Sequence, residues 1–241
     1  MKEDDGVIVG CDVKAEWLLP WWWRHYRAHS SYPVAFIDFG MSKKAQKFCE
    51  ERGRVVTLQL EKPLLVAETA PEEGVYDLMF EPGFREIRYA WLKKPLACLQ
   101  SPFERTVWID LDCRVEGKID PIFEKLGVVA DIALVRDRPF MQEVYKKTKT
   151  ILEGEVMYNS GVVGFVKGST TIRDWADIIL EGKHTFPGDQ DALSRVIFTQ
   201  KRAVIELPLL YNWCWADPPV PGIVITHFMG AGKKWLKKQA S

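Results

Sequence analysis

The sequence predicts an α/β fold with a mostly parallel central sheet flanked by helices, in one domain over residues 1–241. Three observations predict it. From the first residues onward, short apolar runs alternate with helical stretches, the strand–helix–strand order that builds parallel sheets. The stretch TVWIDLDCRV, Thr106 to Val115, carries an apolar run, Val107 to Ile109, that reads as a strand buried on both faces and ends in Asp110 and Asp112. No repeat, low-complexity linker or shift in composition divides the 241 residues.

Val7 to Cys11 reads as a short buried strand with Asp12 at its end. EWLLPWWWRHYRAHS follows, apolar at helical spacing through Trp17, Leu18, Trp21, Trp22 and Tyr26, with Pro20 marking a first turn or a kink. The WWW run is most simply a helix packed on a sheet. Val34 to Ile37 is a second strand, Ser42 caps a helix over Lys43 to Arg52 that Gly53 stops, and Val55 to Leu58 is a third strand. This is the βαβαβ half of a nucleotide-binding sheet, placed at about 1–115. Neither G-x-G-x-x-G nor G-x-x-x-x-G-K occurs, so a dinucleotide fold and a P-loop are unsupported.

Lys62 to Gly83 is acidic and rich in turn residues and reads as a loop. Helical periodicity returns from Ile87 to Leu99, interrupted by Pro95. After the carboxylate strand come a short helix, Pro121 to Leu126, and a strand, Ile132 to Val135. Met141 to Val156, polar and lysine-rich, suggests a mobile flap or a surface helix. YNSGVVGF, Tyr158 to Phe165, opens a strand with a polar triplet, and Ser169 caps a helix over Thr171 to Leu180. Asp189, Gln190 and Asp191 start a helix running to about Phe198, where acidic side chains suit the helix dipole. Val204 to Leu207 and Val224 to Thr226 are the last strands, separated by the aromatic loop LPLLYNWCW. The second strand ends at His227, before a glycine-hinged, basic tail.

Lys plus Arg and Asp plus Glu both number 33, so there is no broad basic field for nucleic acid. Five scattered cysteines without C-x-x-C spacing point to free thiols in a reducing compartment and away from a zinc site. The start resembles no signal peptide and no run is long enough to span a membrane, so a cytoplasmic protein is expected.

Alternation along an extended chain puts both carboxylates of Asp-x-Asp on one side. Two such charges repel unless one is protonated or a cation lies between them, and hard oxygen ligands suit magnesium or manganese, which can bridge nucleotide phosphates. An ordinary strand-end turn is the plainer reading of the motif alone.

Four separated motifs in order decide between them: IDLD, then NSG, then DQDAL, then H-x-x-G-x-x-K as His227, Gly230 and Lys233. Together they resemble a glycosyltransferase of the GT-A fold, and most closely glycosyltransferase family 8. The resemblance implies that Asp110, Asp112 and His227 hold manganese (or magnesium) against the diphosphate of a nucleotide-sugar donor, with UDP-sugars favoured. It further implies that Lys233 contacts the diphosphate, with Gly230 and Gly232 letting the tail fold closely over it. Asp12 falls where the family binds the base, although the aromatic residue usual just after the first strand is replaced at about Ala15. Lys93 falls at the position of an arginine facing the donor sugar, with Lys94 as its rival. Asn159 would hydrogen-bond the sugar and Gly161 would leave room for it. Asp189 would bind sugar hydroxyls, with a rival catalytic role as nucleophile, or serve as a helix N-cap, and Gln190 would lie near the anomeric carbon as the catalytic residue. Trp213 and Trp215 could form an acceptor platform, and acceptor recognition is placed at Tyr145 to Met157 and Tyr211 to Gly222, in the donor-sugar and acceptor half over about 116–241. The family is retaining, so transfer should keep the donor's configuration. KKWLKKQAS would be at most a weak peripheral membrane contact.

Competing readings use parts of the same pattern. Haloacid-dehalogenase-like phosphatases also end a strand in Asp-x-Asp, but usually near the N-terminus; sugar-nucleotide nucleotidyltransferases carry a glycine-rich basic loop where this chain has GCDVKAEW. A nucleotide-sugar-binding protein without turnover would look the same at the metal ligands.

Overall fold

The computed structural model describes residues 4–60, 62, 64, 82–181 and 186–240, without the side chains of 82–86 and 239–240. The loop expected from Lys62 to Gly83 lies almost wholly outside these residues, and its last two, Pro82 and Gly83, already belong to a helix.

Strands β1 (Asp5–Cys11), β2 (Val34–Asp38), β3 (Arg54–Thr57) and β4 (Arg105–Ile109) run parallel, in the order β3-β2-β1-β4. The sheet continues through β7 (Tyr158–Val166), antiparallel to β4, then β6 (Ile132–Arg136), antiparallel to β7, and β8 (Ile205–Leu207), parallel to β6. A second, three-stranded sheet holds β5 (Cys113–Val115), β10 (Ile225–His227) and β9 (Trp213–Cys214) in the order β5-β10-β9. β5 and β10 are antiparallel, with Cys113 opposite His227. That pairing carries the end of one motif to the end of another.

Successive side chains feed two cores on opposite faces of the large sheet. Val7, Val9, Phe36, Val107 and Ile109 pack on one side with Trp22 and Tyr26 of α1 (Leu19–His29) and Cys49 of α2 (Lys43–Glu50). Ile8, Ile37, Trp108 and Val163 face the other side, against Leu92 of α3 (Pro82–Leu92), Leu96 of α4 (Lys94–Leu99), Trp175 of α7 (Thr170–Leu180) and Leu193 of α8 (Asp189–Thr199). Pro20 sits in the first turn of α1, where no intrahelical N–H is lost, so it starts the helix. Of the tryptophan run, Trp22 is fully buried, stacked on Tyr26 at 4.9 Å between ring centroids. Ser42 Oγ accepts from Ala45 N, the expected cap. Pro95 divides the expected Ile87–Leu99 helix into α3 and α4, leaving Lys93 at the junction.

Two segments of the second half take definite form. Met141 to Val156 begins in a surface helix, α6 (Pro139–Lys147), and is pinned rather than flap-like: Tyr145, Ile151 and Met157 make a small core, and buried Glu155 accepts from Arg195 at 3.0 Å. In the basic tail, Ala231–Ala240 forms a ten-residue helix, α9. Gly230, at φ +60°, supplies the left-handed residue before it. The remaining helix, α5, is Asp120–Lys125. Among the described residues no helix is long and apolar enough to cross a membrane.

Candidate active site

Asp110 leaves β4 at the carboxyl edge of the sheet, its backbone N–H bonded to Gly161 O of β7 at 2.8 Å. Parallel strands point their open ends here, and ligands of α/β folds collect at such edges. Two residues on, the chain has turned into β5, and Asp112 O accepts from Phe228 N at 2.9 Å. The antiparallel partner β10 then delivers His227: its Nε2 lies 3.4 Å from Asp112 Oδ1 and 3.8 Å from Asp110 Oδ2. The three expected metal ligands therefore converge from two sheets.

Lys233, on the first turn of α9, places Nζ 3.2 Å from Asp112 Oδ2. Burial favours the neutral acid, but the Lys233 ammonium outweighs it and holds the Asp112 carboxyl well below the usual carboxylate range. Asp112 raises the Lys233 ammonium in turn. The tail reaches this position through an aromatic clasp: Phe228, Trp215 and Trp235 stack with centroids 5.5 to 6.2 Å apart, and Trp215 Nε1 donates to Met229 O. Trp215 is thus committed to the tail and is not an exposed platform for an acceptor. A Cβ on Gly232 would stand 2.6 Å from Trp215 Nε1, so its close packing is against this clasp.

The lysine that enters the site is Lys94. Lys93 Nζ donates to Phe39 O and lies over the rings of Phe39 and Tyr89, away from the carboxylates. Lys94 Nζ is buried, 3.0 Å from Asp110 Oδ1 and 3.0 Å from Asp189 Oδ2, and donates to Ser160 O at 3.0 Å. Burial works against its charge, yet the two carboxylates hold the ammonium above its ordinary value. Ser160 Oγ also donates to Asp189 Oδ2 at 2.7 Å, and Trp108 Nε1 donates to Asp110 Oδ1 at 2.6 Å. Asp189 is the first residue of α8, and the cap position is Gly188, so the carboxylate is free of capping and turned to Lys94. The capping bond belongs to Asp191, which accepts from Gly188 N. Arg88, buried, braces the approach to α8 through Phe186 O and Pro187 O.

Gly161 corrects one expectation. A Cβ there would lie 2.4 Å from His227 Cε1 and 2.5 Å from Nδ1, so the missing side chain makes room for the imidazole and not for a sugar. Asn159 Oδ1 accepts from Gly161 N at 2.9 Å and from Asn212 Nδ2 at 2.7 Å. Gln190 Nε2 reaches Tyr145 OH at 3.4 Å, and that hydroxyl donates to Asp137 Oδ2. Asp12 Oδ1 accepts from Lys14 N and Ala15 N. It lies apart from the carboxylate cluster but lines the same cavity, of about 270 Å³, together with Trp17, Phe39, Trp108, Asp110 and Lys233. Direct contacts thus unite Asp110, Asp112, His227, Lys233 and Asp189 through Lys94, with Asn159 and Gly161 behind His227. Asp12 joins through the cavity; Lys93, Gln190 and Gly230 make none of these contacts.

The donor set fits a hard divalent cation. Asp112, Cys113 and His227 present ligand atoms within 4.8 Å of one another, but burial pushes the Cys113 thiol far up, so it stays protonated and a poor ligand. Two carboxylates and an imidazole remain, a combination that suits manganese or magnesium.

Comparison with solved structures follows this geometry. The galactosyltransferase LgtC, in complex with donor and acceptor sugar analogues, superposes at a TM-score of 0.62 with 15% identity, over 98% of this chain and 95% of that one. Mouse xyloside xylosyltransferase 1 gives 0.54 at 13% identity, over 92% and 97%. The chain has the GT-A fold. Another GT-A structure, GlyE of Streptococcus pneumoniae TIGR4, gives 0.58 at 14% identity, over 94% of this chain and 55% of its own. No family model and no curated protein sequence matches the chain. At these identities the likeness is one of backbone, and the GT-A assignment is one of fold.

Proposed function

We propose that this protein is a divalent-metal-dependent glycosyltransferase that moves a sugar from a nucleotide-diphosphate donor to an acceptor with retention of configuration, as in glycosyltransferase family 8. The observation that carries the reading is the convergence of Asp110, Asp112 and His227 beside Lys233, at the rim of the cavity that Asp12 shares. Asp110, Asp112 and His227 would hold manganese or magnesium, which when bound offsets the charge of a diphosphate. Lys233 adds a cation on the same side and stabilises the leaving group as negative charge builds on it. The cavity between Asp12 and Asp110 takes the nucleoside, UDP being favoured, with Phe39, Trp108 and Trp17 as apolar walls.

Lys94 holds Asp110 and Asp189 in fixed relation, so sugar-binding and metal-binding carboxylates keep one geometry. With Oδ2 tied to both Ser160 and Lys94, Asp189 is a weak nucleophile and a good partner for sugar hydroxyls. Asn159 Nδ2 offers a donor to the same sugar. Gln190, an amide, is no nucleophile either; its carbonyl stabilises positive charge at the anomeric carbon during attack from the leaving-group face. The acceptor lies towards Tyr145 to Met157 and Tyr211 to Gly222. All five cysteines are buried thiols, which supports a cytoplasmic, reducing location. Half-exposed Trp235 among lysines supports a weak peripheral membrane contact.

The test is incubation of the purified protein with UDP-sugars and GDP-sugars, with and without manganese, followed by assay of free nucleoside diphosphate. A thermal-shift screen of the same panel reports binding separately. Absence of both manganese-dependent stabilisation and diphosphate release would reject the proposal; stabilisation without release in the presence of varied acceptors would favour a binding protein.

A further inference from the structure

We infer that Asn212 is a positioning residue that holds a proton on His227 Nδ1, so that Nε2 is the ring nitrogen turned to Asp110 and Asp112. A chain of three buried side chains leads to this, and it starts from a group whose polarity is beyond choice. Gly161 N–H can only donate, and its partner on Asn159 lies at 2.9 Å, so that atom is the amide oxygen. The same oxygen meets Asn212 at 2.7 Å, so Asn212 must turn its NH₂ towards it. Its own oxygen then faces His227 Nδ1, at 3.0 Å, and an amide oxygen can only accept. The proton is therefore on Nδ1.

The opposite arrangement fails at a named contact. Were Nε2 protonated and Nδ1 an acceptor, Asn212 would have to flip, and its oxygen would oppose Asn159 Oδ1 at 2.7 Å with no proton between them. Flipping Asn159 as well would strand the buried Gly161 N–H. Asn159, Asn212 and His227 are each 4–6% exposed, so water is a poor substitute for any member. The result is that Nε2, and not Nδ1, faces Asp112 Oδ1 at 3.4 Å and Asp110 Oδ2 at 3.8 Å, the position from which an imidazole could join both carboxylates around a cation.

The consequence for metal affinity rests on the reading of His227 as a ligand; the tautomer itself does not. Partners that orient a ligating histidine through its second ring nitrogen are worth roughly 10- to 100-fold in metal affinity. In Asn212→Leu the acceptor at Nδ1 is gone, and Nε2–H can donate to Asp112 instead. Asn212→Asp keeps an acceptor facing Nδ1, although its other oxygen opposes Asn159 Oδ1 and lowers the melting temperature.

Two-bond proton–nitrogen correlation spectra of metal-free, nitrogen-15-labelled protein read directly which ring nitrogens carry protons. His227→Gln assigns the resonance. Wild type and Asn212→Asp should show Nδ1–H, whereas Asn212→Leu should shift towards Nε2–H and bind manganese about tenfold or more weakly by calorimetry. An Nε2–H tautomer in wild type overturns the inference, as does an unchanged tautomer in Asn212→Leu. Should that variant fail to fold, the wild-type and Asn212→Asp spectra decide. Correct tautomers with no manganese binding in wild type would uphold the role of Asn212 and reject the metal reading instead.

Discussion

Lys233 Nζ lies 3.2 Å from Asp112 Oδ2, on the opposite oxygen from the one that faces His227. The carboxylate is thus shared between a strand-end imidazole and a helix-borne ammonium. Replacing Asp112 with Asn keeps the shape and removes the charge both partners face. Manganese-dependent UDP or GDP binding should fall below detection by calorimetry, while the circular dichroism spectrum stays native. Undiminished affinity would contradict the metal assignment.

Lys233 and Lys237 both lie on α9, but Lys233 faces Asp112 and Lys237 is exposed. Lys233→Ala should lower nucleoside-diphosphate affinity and turnover by about tenfold or more, the scale of a lost charge-assisted contact. Lys237→Ala should change neither beyond about twofold, as expected of a solvated surface charge. Equal effects would reduce the tail to a diffuse basic patch.

Gly161 stands against the His227 ring. Gly161→Ala would place a methyl 2.4 Å from Cε1, and the ring, held by Asn212, must move. Overpacking of this kind costs about 1–3 kcal/mol, and displaced ligation should weaken manganese binding at least tenfold. Normal metal affinity in this variant would show that His227 can bind from another rotamer.

Asp191 supplies a pH dependence. Burial, reinforced by repulsion from Asp189, raises its carboxyl to about 7. For an acid raised on folding, the native state holds the proton while the unfolded chain, at about 3.9, has lost it. Stability should therefore fall as pH rises from about 4 to about 7 and level off above. Asp191→Asn retains an oxygen for Gly188 N and removes the ionisation. Its melting temperature should exceed wild type at pH 8, by about 2–4 °C for each kcal/mol recovered, and match it near pH 4.

Gln190 and Asp189 test the stereochemical reading. Gln190→Ala should slow transfer without abolishing it, whereas Asp189→Asn should act mainly on donor affinity. Proton NMR of fresh product gives the anomeric configuration, and a β-linked product from an α-linked donor would refute retention.

The strands were legible because apolar runs such as Val34 to Ile37 and Val107 to Ile109 have little alternative to burial, and Asp110 and Asp112 were legible as the end of one of them; what brings both to His227 is the turn after β4, closed by Cys113 N–H on Asp110 O at 2.9 Å, and not the alternation of an extended chain. Which lysine faces them was not legible. Lys93 and Lys94 differ by one helical step, and the break at Pro95 decides which of the two turns inward. The role of Gly161 was hidden for another reason: its reason for lacking a side chain is a ring that arrives from β10. Asn212 gave no signal at all within LPLLYNWCW, since its partner Asn159 is 53 positions away. Ser160 was visible only as the middle of NSG, and its bonds to Lys94 and Asp189 need the packed α4 and α8.

The short sheet β5-β10-β9 also sets an order of events during synthesis. The parallel strands β1 to β4 and the helices between them come from the first half of the chain and can pair as they emerge. Asp110 and Asp112 then stand without His227 and Lys233, because β10, with His227 at its end, and the clasped helix bearing Lys233 are translated after every strand of the large sheet. Domains fold from the N-terminus as they leave the ribosome, and long-range pairings form slowest. A nascent chain would therefore pair the strands of its large sheet before His227 and Lys233 reach the carboxylates.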